Sequence, residues 1–179
     1  MDVHVPQAEE VFPIILTIAT GEAGFYHKER IDNHIDEYGK YVKSVMEASK
    51  MITAVDYIGA IAKKKQLETM FNEVMNDLDL LLTPTLPALP KRIGEEEVKI
   101  NGKVEPIFNC MVRYTSYFSL TGHPALSMPV GLSKERLPVG VQLVGNKWEE
   151  AKLLKIASTY ESRHLSDYHT IEPGEQINL

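Results

Sequence analysis

The apolar positions of this chain change their period near residue 80, from helical spacing before it to short runs and alternation after it. Ala8, Val11, Ile15, Ile18, Ala19 and Ala23 recur at roughly helical intervals, which predicts a helix with Pro13 in its first turn or bending it. From His27 to Gly39 the residues are mostly charged, with Ile31 and Ile35 as regular apolar anchors, the pattern of a short exposed helix. Thr53 and Asp56 read as a capping box with aspartate in the usual glutamate position. The helix it opens carries Leu67, Met70, Phe71, Val74, Met75 and Leu78 on one face, which should be buried.

The run Leu80-Leu81-Leu82 then empties into Thr83-Pro84-Thr85-Leu86-Pro87, a buried strand followed by a stiff loop. Asn101-Gly102 marks a tight, solvent-facing hairpin after the acidic run Glu95 to Glu97. One helix is predicted from Pro106 to Leu120, ended by Gly122 and Pro124. Strands are predicted over Ala125–Val130 and Val139–Val144, where bulky and small residues alternate, and Pro129 marks a strand end, an edge or a bulge. Asn146 with Glu149 is expected to cap a last helix whose buried stripe is Leu153, Leu154, Ala157 and Tyr160. The resulting organisation is helical over 1–78, strand, loop and hairpin over 79–105, helix, two strands and final helix over 106–165, and a polar tail over 166–179.

A chain of 179 residues suits one compact unit, and 44% hydrophobic with 25% charged residues is the balance of a globular protein. The formal net charge of -6 argues against nucleic acid as a partner. The most apolar stretch, Val11 to Ala19, is too short to span a bilayer, so no membrane association is expected. Glu9 and Glu10 stand where a signal peptide carries positive charge. Cys110 is the sole cysteine and cannot form an internal disulfide, and a cytoplasmic setting fits best.

Candidate chemistry is sparse. The six histidines form no His-Glu-x-x-His pattern and there is no Cys-x-x-Cys pair, so no metal site and no cofactor are expected. Cys110, between Phe108 and Met111, reads as core filling rather than a nucleophile. Lys63, Lys64 and Lys65 read as a solvated helix face, with Lys64 alone a pocket candidate. His123 could border a pocket, although a turn histidine satisfied by backbone is favoured; Gln142 is expected to satisfy buried backbone groups. The group Tyr114, Tyr117 and Phe118 divides about evenly between stacking on a substrate and core packing.

Four segments in order carry a resemblance: the long helix with Val55-Asp56-Tyr57-Ile58-Gly59-Ala60 at its start, Asp79-Leu80-Leu81-Leu82-Thr83-Pro84-Thr85, Ser119-Leu120-Thr121-Gly122-His123-Pro124-Ala125-Leu126-Ser127-Met128-Pro129-Val130-Gly131, and Leu137-Pro138-Val139-Gly140-Val141-Gln142-Leu143-Val144-Gly145. Together they resemble the C-terminal portion of the amidase-signature family. The resemblance implies an α/β fold, a mixed sheet flanked by helices, and hydrolysis of carboxylic amides. Family members use a lysine, a serine held in a cis peptide and a nucleophilic serine, the serines lying in a glycine- and serine-rich segment of the N-terminal half. No Gly-Gly-Ser-Ser cluster and no Gly-x-Ser-x-Gly elbow occurs in this sequence. The chain is therefore expected to lack the N-terminal catalytic half, to hold no catalytic residue, and to serve as scaffold and substrate wall.

Carry-over and spacing nominate Lys64, Phe108, Val112 and Thr115 for that wall, around a small-molecule amide in the full-length parent. Two departures leave the resemblance intact: Arg136 where relatives often have glycine, and Ser119 where they often have asparagine. Two alternatives remain. One is a non-enzymatic module that pairs with a separate N-terminal half, and a homo-oligomer formed through an exposed sheet edge goes with it. The other is a portion of the amide-cleaving subunit of a glutamine-dependent transfer RNA amidotransferase, which Val112 disfavours, because a valine cannot pair with an α-ammonium.

Overall fold

A computed structural model describes residues 1–166 and Tyr168, so most of the expected polar tail over 166–179 lies outside the described residues. The chain divides into two compact units, Met1–Phe71 and Asn72–Leu179.

In the first unit a 3-10 turn, Ala8–Glu10, leads into helix α1, Val11–Tyr26, followed by α2, Lys28–His34, and α3, Lys40–Ser49. Pro13 is the third residue of α1, where its missing N–H leaves no intrahelical bond unmade. The buried stripe of α1 is Val11, Ile14 and Ile18: Val11 and Ile18 of the predicted face are buried, while Ile14 takes the place of the half-buried Ile15 and Ala19 is exposed. Ile31 anchors α2 as its buried residue. Helix α4, Ala54–Met75, runs across the division between the units. Its start is the predicted capping box: the Asp56 N–H donates to Thr53 Oγ1 at 3.1 Å and the Thr53 N–H donates to Asp56 Oδ2 at 3.0 Å. Leu67, Phe71 and Met75 of the predicted face are fully buried.

The second unit contains β1, Leu81–Pro84, β2, Glu97–Ile100, β3, Lys103–Pro106, α5, Ile107–Val112, α6, Thr115–Thr121, β4, Ala125–Leu132, β5, Pro138–Val144, and α7, Glu150–His164. Strand β5 is the centre of a three-stranded sheet in the order β1-β5-β4, antiparallel on both sides. The β2–β3 pair forms a separate antiparallel hairpin, with Asn101 and Gly102 both at positive φ, as a type I′ turn requires. Val98 of that hairpin is buried, so the excursion does not face solvent along its whole length. Between Pro129 and Gly131 the β4–β5 register shifts, which places Pro129 at a bulge where a missing donor is tolerated. Met128, Leu143 and Leu153 form one buried hydrophobic cluster of this unit, with Leu126, Val141, Ala157 and Tyr160 packed against it.

Four local expectations need correction. The helix predicted over Pro106–Leu120 is two, because the Arg113 N–H reaches back three residues to Cys110 O and the chain turns before Thr115. Leu82 is 59% exposed beside buried Leu81, since successive strand residues point to opposite faces. Leu154 is exposed while Leu153 is buried, which narrows the stripe on α7. Asn146 does not cap α7. Its Nδ2 donates instead to Met75 O and Leu78 O, carbonyls at and beyond the C-terminal end of α4. Among the described residues no helix is long and apolar enough to cross a membrane.

Candidate functional site

In the second unit a cavity of about 290 Å³ is lined by residues of α6, the turn that follows it, β4, β5 and the end of β1. Gly122, at φ 73, closes α6: its N–H and that of His123 both donate to Phe118 O, and the reversal turns His123 toward the sheet. Thr115, Phe118 and Ser119 face the cavity from the helix; Ala125 and Ser127 come from β4, Gln142 from β5 and Thr85 from just past β1.

The hydroxyls of Thr85 and Ser127 are 2.8 Å apart. Their meeting depends on Gly140, since a β-carbon there would stand 3.3 Å from Thr85 Oγ1 and 3.6 Å from Ser127 Oγ. The Thr85 N–H continues the ladder past β1 by donating to Gly140 O at 3.1 Å. Gln142 is 2% exposed, and its Nε2 donates to Pro84 O and Tyr114 O at 3.4 and 3.3 Å. It satisfies buried backbone groups, as expected, while also lining the cavity.

His123 is buried, with Nδ1 3.0 Å from Thr121 Oγ1. Thr121 Oγ1 itself donates to Tyr117 O at 3.0 Å, so its lone pair accepts from the imidazole and the proton is assigned to Nδ1. Burial pushes the Tyr117 phenol up to about 12, which keeps it neutral. Burial likewise raises the Cys110 thiol, with Glu105 adding to the effect; this buried side chain is core filling, not an activated nucleophile.

The lining carries hydroxyls, one amide and one imidazole but no Lys, Arg, Asp or Glu. Such a set hydrogen-bonds an uncharged polar group in both senses, donor and acceptor, and includes no permanently charged side chain. Of the four residues nominated from sequence, the cavity gathers Thr115 alone. Val112 is half-buried and Phe108 is 59% exposed, both on α5, and neither belongs to the lining. Lys64 belongs to the first unit, half-buried on α4, next to Lys63, whose ammonium is 3.7 Å from Glu10 Oε2. Thr85, Ser119 and Ser127 are not among the nominated residues; it is the strand register, setting Ser127 opposite Gln142, that brings the Ser127 hydroxyl to the cavity. Among the described residues no group of three or more His, Cys, Asp or Glu could hold a metal ion.

A family model described as Amidase matches residues 1–154. The chain is 32% identical over 162 residues to an amidase of Pseudomonas putida, covering 90% of this chain and 34% of that protein. It is 33% identical over 132 residues to a subunit of the glutamyl-tRNA(Gln) amidotransferase of Alkaliphilus metalliredigens, covering 71% of this chain and 26% of that one. Among solved structures, an amidase crystal structure superposes with a TM-score of 0.85 at 27% identity, over 90% of this chain and 37% of the other. The chain thus spans between about a quarter and somewhat over a third of the length of these relatives.

Proposed function

Since this chain belongs to the amidase-signature family and has its α/β fold, we propose that it is the C-terminal portion of an amidase that hydrolyses a carboxylic amide to an acid and ammonia or an amine. Its role there is scaffold and substrate wall, and it turns over no amide alone. The observation that carries this reading is the pairing of a family match along 1–154 with the absence from the sequence of any glycine- and serine-rich nucleophile segment. An amide carbonyl is a poor electrophile, so its hydrolysis needs a serine deprotonated as it attacks and donors aimed at the developing oxyanion. The uncharged, hydrogen-bonding cavity around Thr115 suits a neutral carboxamide. Lys64, Phe108, Val112 and Thr115 remain the proposed wall, with Thr115 the best supported.

A cytoplasmic setting, the absence of a nucleic-acid partner, and a homo-oligomer formed through an exposed sheet edge belong to the same proposal. The similarity to an amidotransferase component keeps the glutamine-using reading as its rival. The test is a chimaera in which this chain replaces the portion of the Pseudomonas putida amidase to which it aligns. Amidase activity in the chimaera and none in the chain alone supports the proposal. Turnover of a carboxamide by the chain alone, lost on mutation of one of its own side chains, overturns it. A strong preference for glutamine in the chimaera would favour the rival.

A further inference from the structure

The first unit has a cavity of its own, about 600 Å³, within the size range of small-molecule sites. Gly21 opens it: a β-carbon at that position would stand 3.3 Å from the Tyr57 ring and 3.5 Å from Ile52 Cγ2. Phe25, Tyr26 and Tyr57 provide aromatic surface, and Glu22 is the one charged residue of the lining. The Tyr57 hydroxyl donates to Glu22 Oε1 at 2.9 Å, which orients the carboxylate and raises the Tyr57 phenol above its ordinary range. Glu22, Phe25 and Tyr26 all lie in the last two turns of α1, where the helix dipole presents its negative end. The start of α4 also borders the cavity through Thr53 and Ala54, but the Asp56 carboxylate already holds the Thr53 N–H and hydroxyl.

We propose that this groove binds an organic ammonium ion with an aromatic or aliphatic body, its charge against Glu22 and its body between Gly21, Ile52 and the three aromatic rings. A carboxylate, a helix C-terminus and aromatic faces all favour a cation, and no cationic side chain lines the groove to oppose it. The inference concerns a different cavity from the one around Thr115, and its test reads binding rather than hydrolysis, so it stands or falls apart from the proposed function.

The experiment is isothermal titration of the chain with 2-phenylethylammonium and with 2-phenylethanol, which share a body and differ in charge. The ammonium should bind about tenfold more tightly, a difference of about 1.4 kcal/mol. Glu22→Gln, which keeps an oxygen for Tyr57, should abolish that preference and leave binding of the alcohol unchanged. Gly21→Leu should block both probes, provided the unfolding midpoint is retained; if the variant fails to fold, Glu22→Gln decides. Equal affinity for the two probes, a preference that survives Glu22→Gln, or no binding of either at millimolar concentration overturns the proposal.

Discussion

Gly24 of α1 lies so close to Ser49 of α3 that a β-carbon on residue 24 would stand 2.3 Å from Ser49 Oγ and 2.5 Å from Ser49 Cβ. The Ser49 hydroxyl is itself committed, donating to Met46 O at 2.7 Å, so it does not swing aside freely. The crossing of these two helices therefore requires a residue without a side chain.

That relationship reverses the usual effect of replacing a helical glycine. Gly24→Ala should gain about 1 kcal/mol of helix propensity and lose roughly 2–3 kcal/mol through overpacking, the upper part of the usual cost because the contact is so short. Net destabilisation of about 1–2 kcal/mol is expected in urea unfolding. Adding Ser49→Gly should recover part of the loss, because the two positions share one contact. A Gly24→Ala variant as stable as the parent would refute the close crossing.

The capping box at Thr53 and Asp56 makes a prediction about pH. Hydrogen bonds from the Thr53 hydroxyl and N–H hold the Asp56 carboxyl below its ordinary value. A carboxyl whose folded-state pKa is depressed adds stability above its unfolded value, and that contribution is lost as pH falls through the folded one. Asp56→Ala should thus lower the unfolding midpoint at neutral pH, and the gap from the parent should close in acid, below the ordinary aspartate range. A gap that stays constant down to that acid range would mean the carboxylate does not act through its charge.

The features legible in the sequence are those decided within a few residues. The Thr53–Asp56 box, the Asn101-Gly102 turn and the helix stop at Gly122 each rest on a backbone rule that neighbours alone enforce. That Pro129 marks a strand end, an edge or a bulge is readable because a residue without an N–H fits few places in a ladder; the register shift beside it on edge strand β4 is what the structure adds. Asn146 cannot be read this way: its partners, Met75 O and Leu78 O, lie about seventy residues back, and a local capping motif offers a nearer explanation. The cavity escapes for the same reason. Thr85 and Ser127 are 42 positions apart and meet only through β5, at the point where Gly140 leaves room.

Gln142 offers a sharper test of the polar floor of that cavity. Its amide donates to the carbonyls of Pro84 and Tyr114 from a buried position. Gln142→Leu leaves the Tyr114 carbonyl without this donor and should cost roughly 1–3 kcal/mol. Gln142→Glu should be worse at neutral pH, because an ionised carboxylate can only accept and would face two carbonyl oxygens. Burial and those oxygens would raise the folded-state pKa of the introduced carboxyl, so its protonated form would be favoured in the native chain. The stability of Gln142→Glu relative to the parent should accordingly rise as pH falls through that raised value and level off below the ordinary glutamate range. Thermal unfolding of both variants across pH would check this, and a pH-independent difference between Gln142→Glu and the parent would contradict the donor role.

Within the proposed amidase chimaera, the cavity separates the nominated wall residues. Thr115 lines it, and its hydroxyl donates to Val112 O at 3.3 Å, whereas Phe108 lies outside it and is largely exposed. Thr115→Leu places an apolar branch among hydroxyls and removes a polar partner from a neutral amide, so kcat/KM should fall about tenfold, equivalent to about 1.4 kcal/mol of transition-state stabilisation. Phe108→Ala, at a proposed wall residue that stands outside this cavity, should lower kcat/KM by a smaller factor, about threefold. Steady-state kinetics with one carboxamide substrate, on variants matched for unfolding midpoint, decides between them. If Phe108→Ala were the more damaging of the two, the substrate wall would follow α5, and the cavity around Thr115 would be a packing defect of the sheet edge.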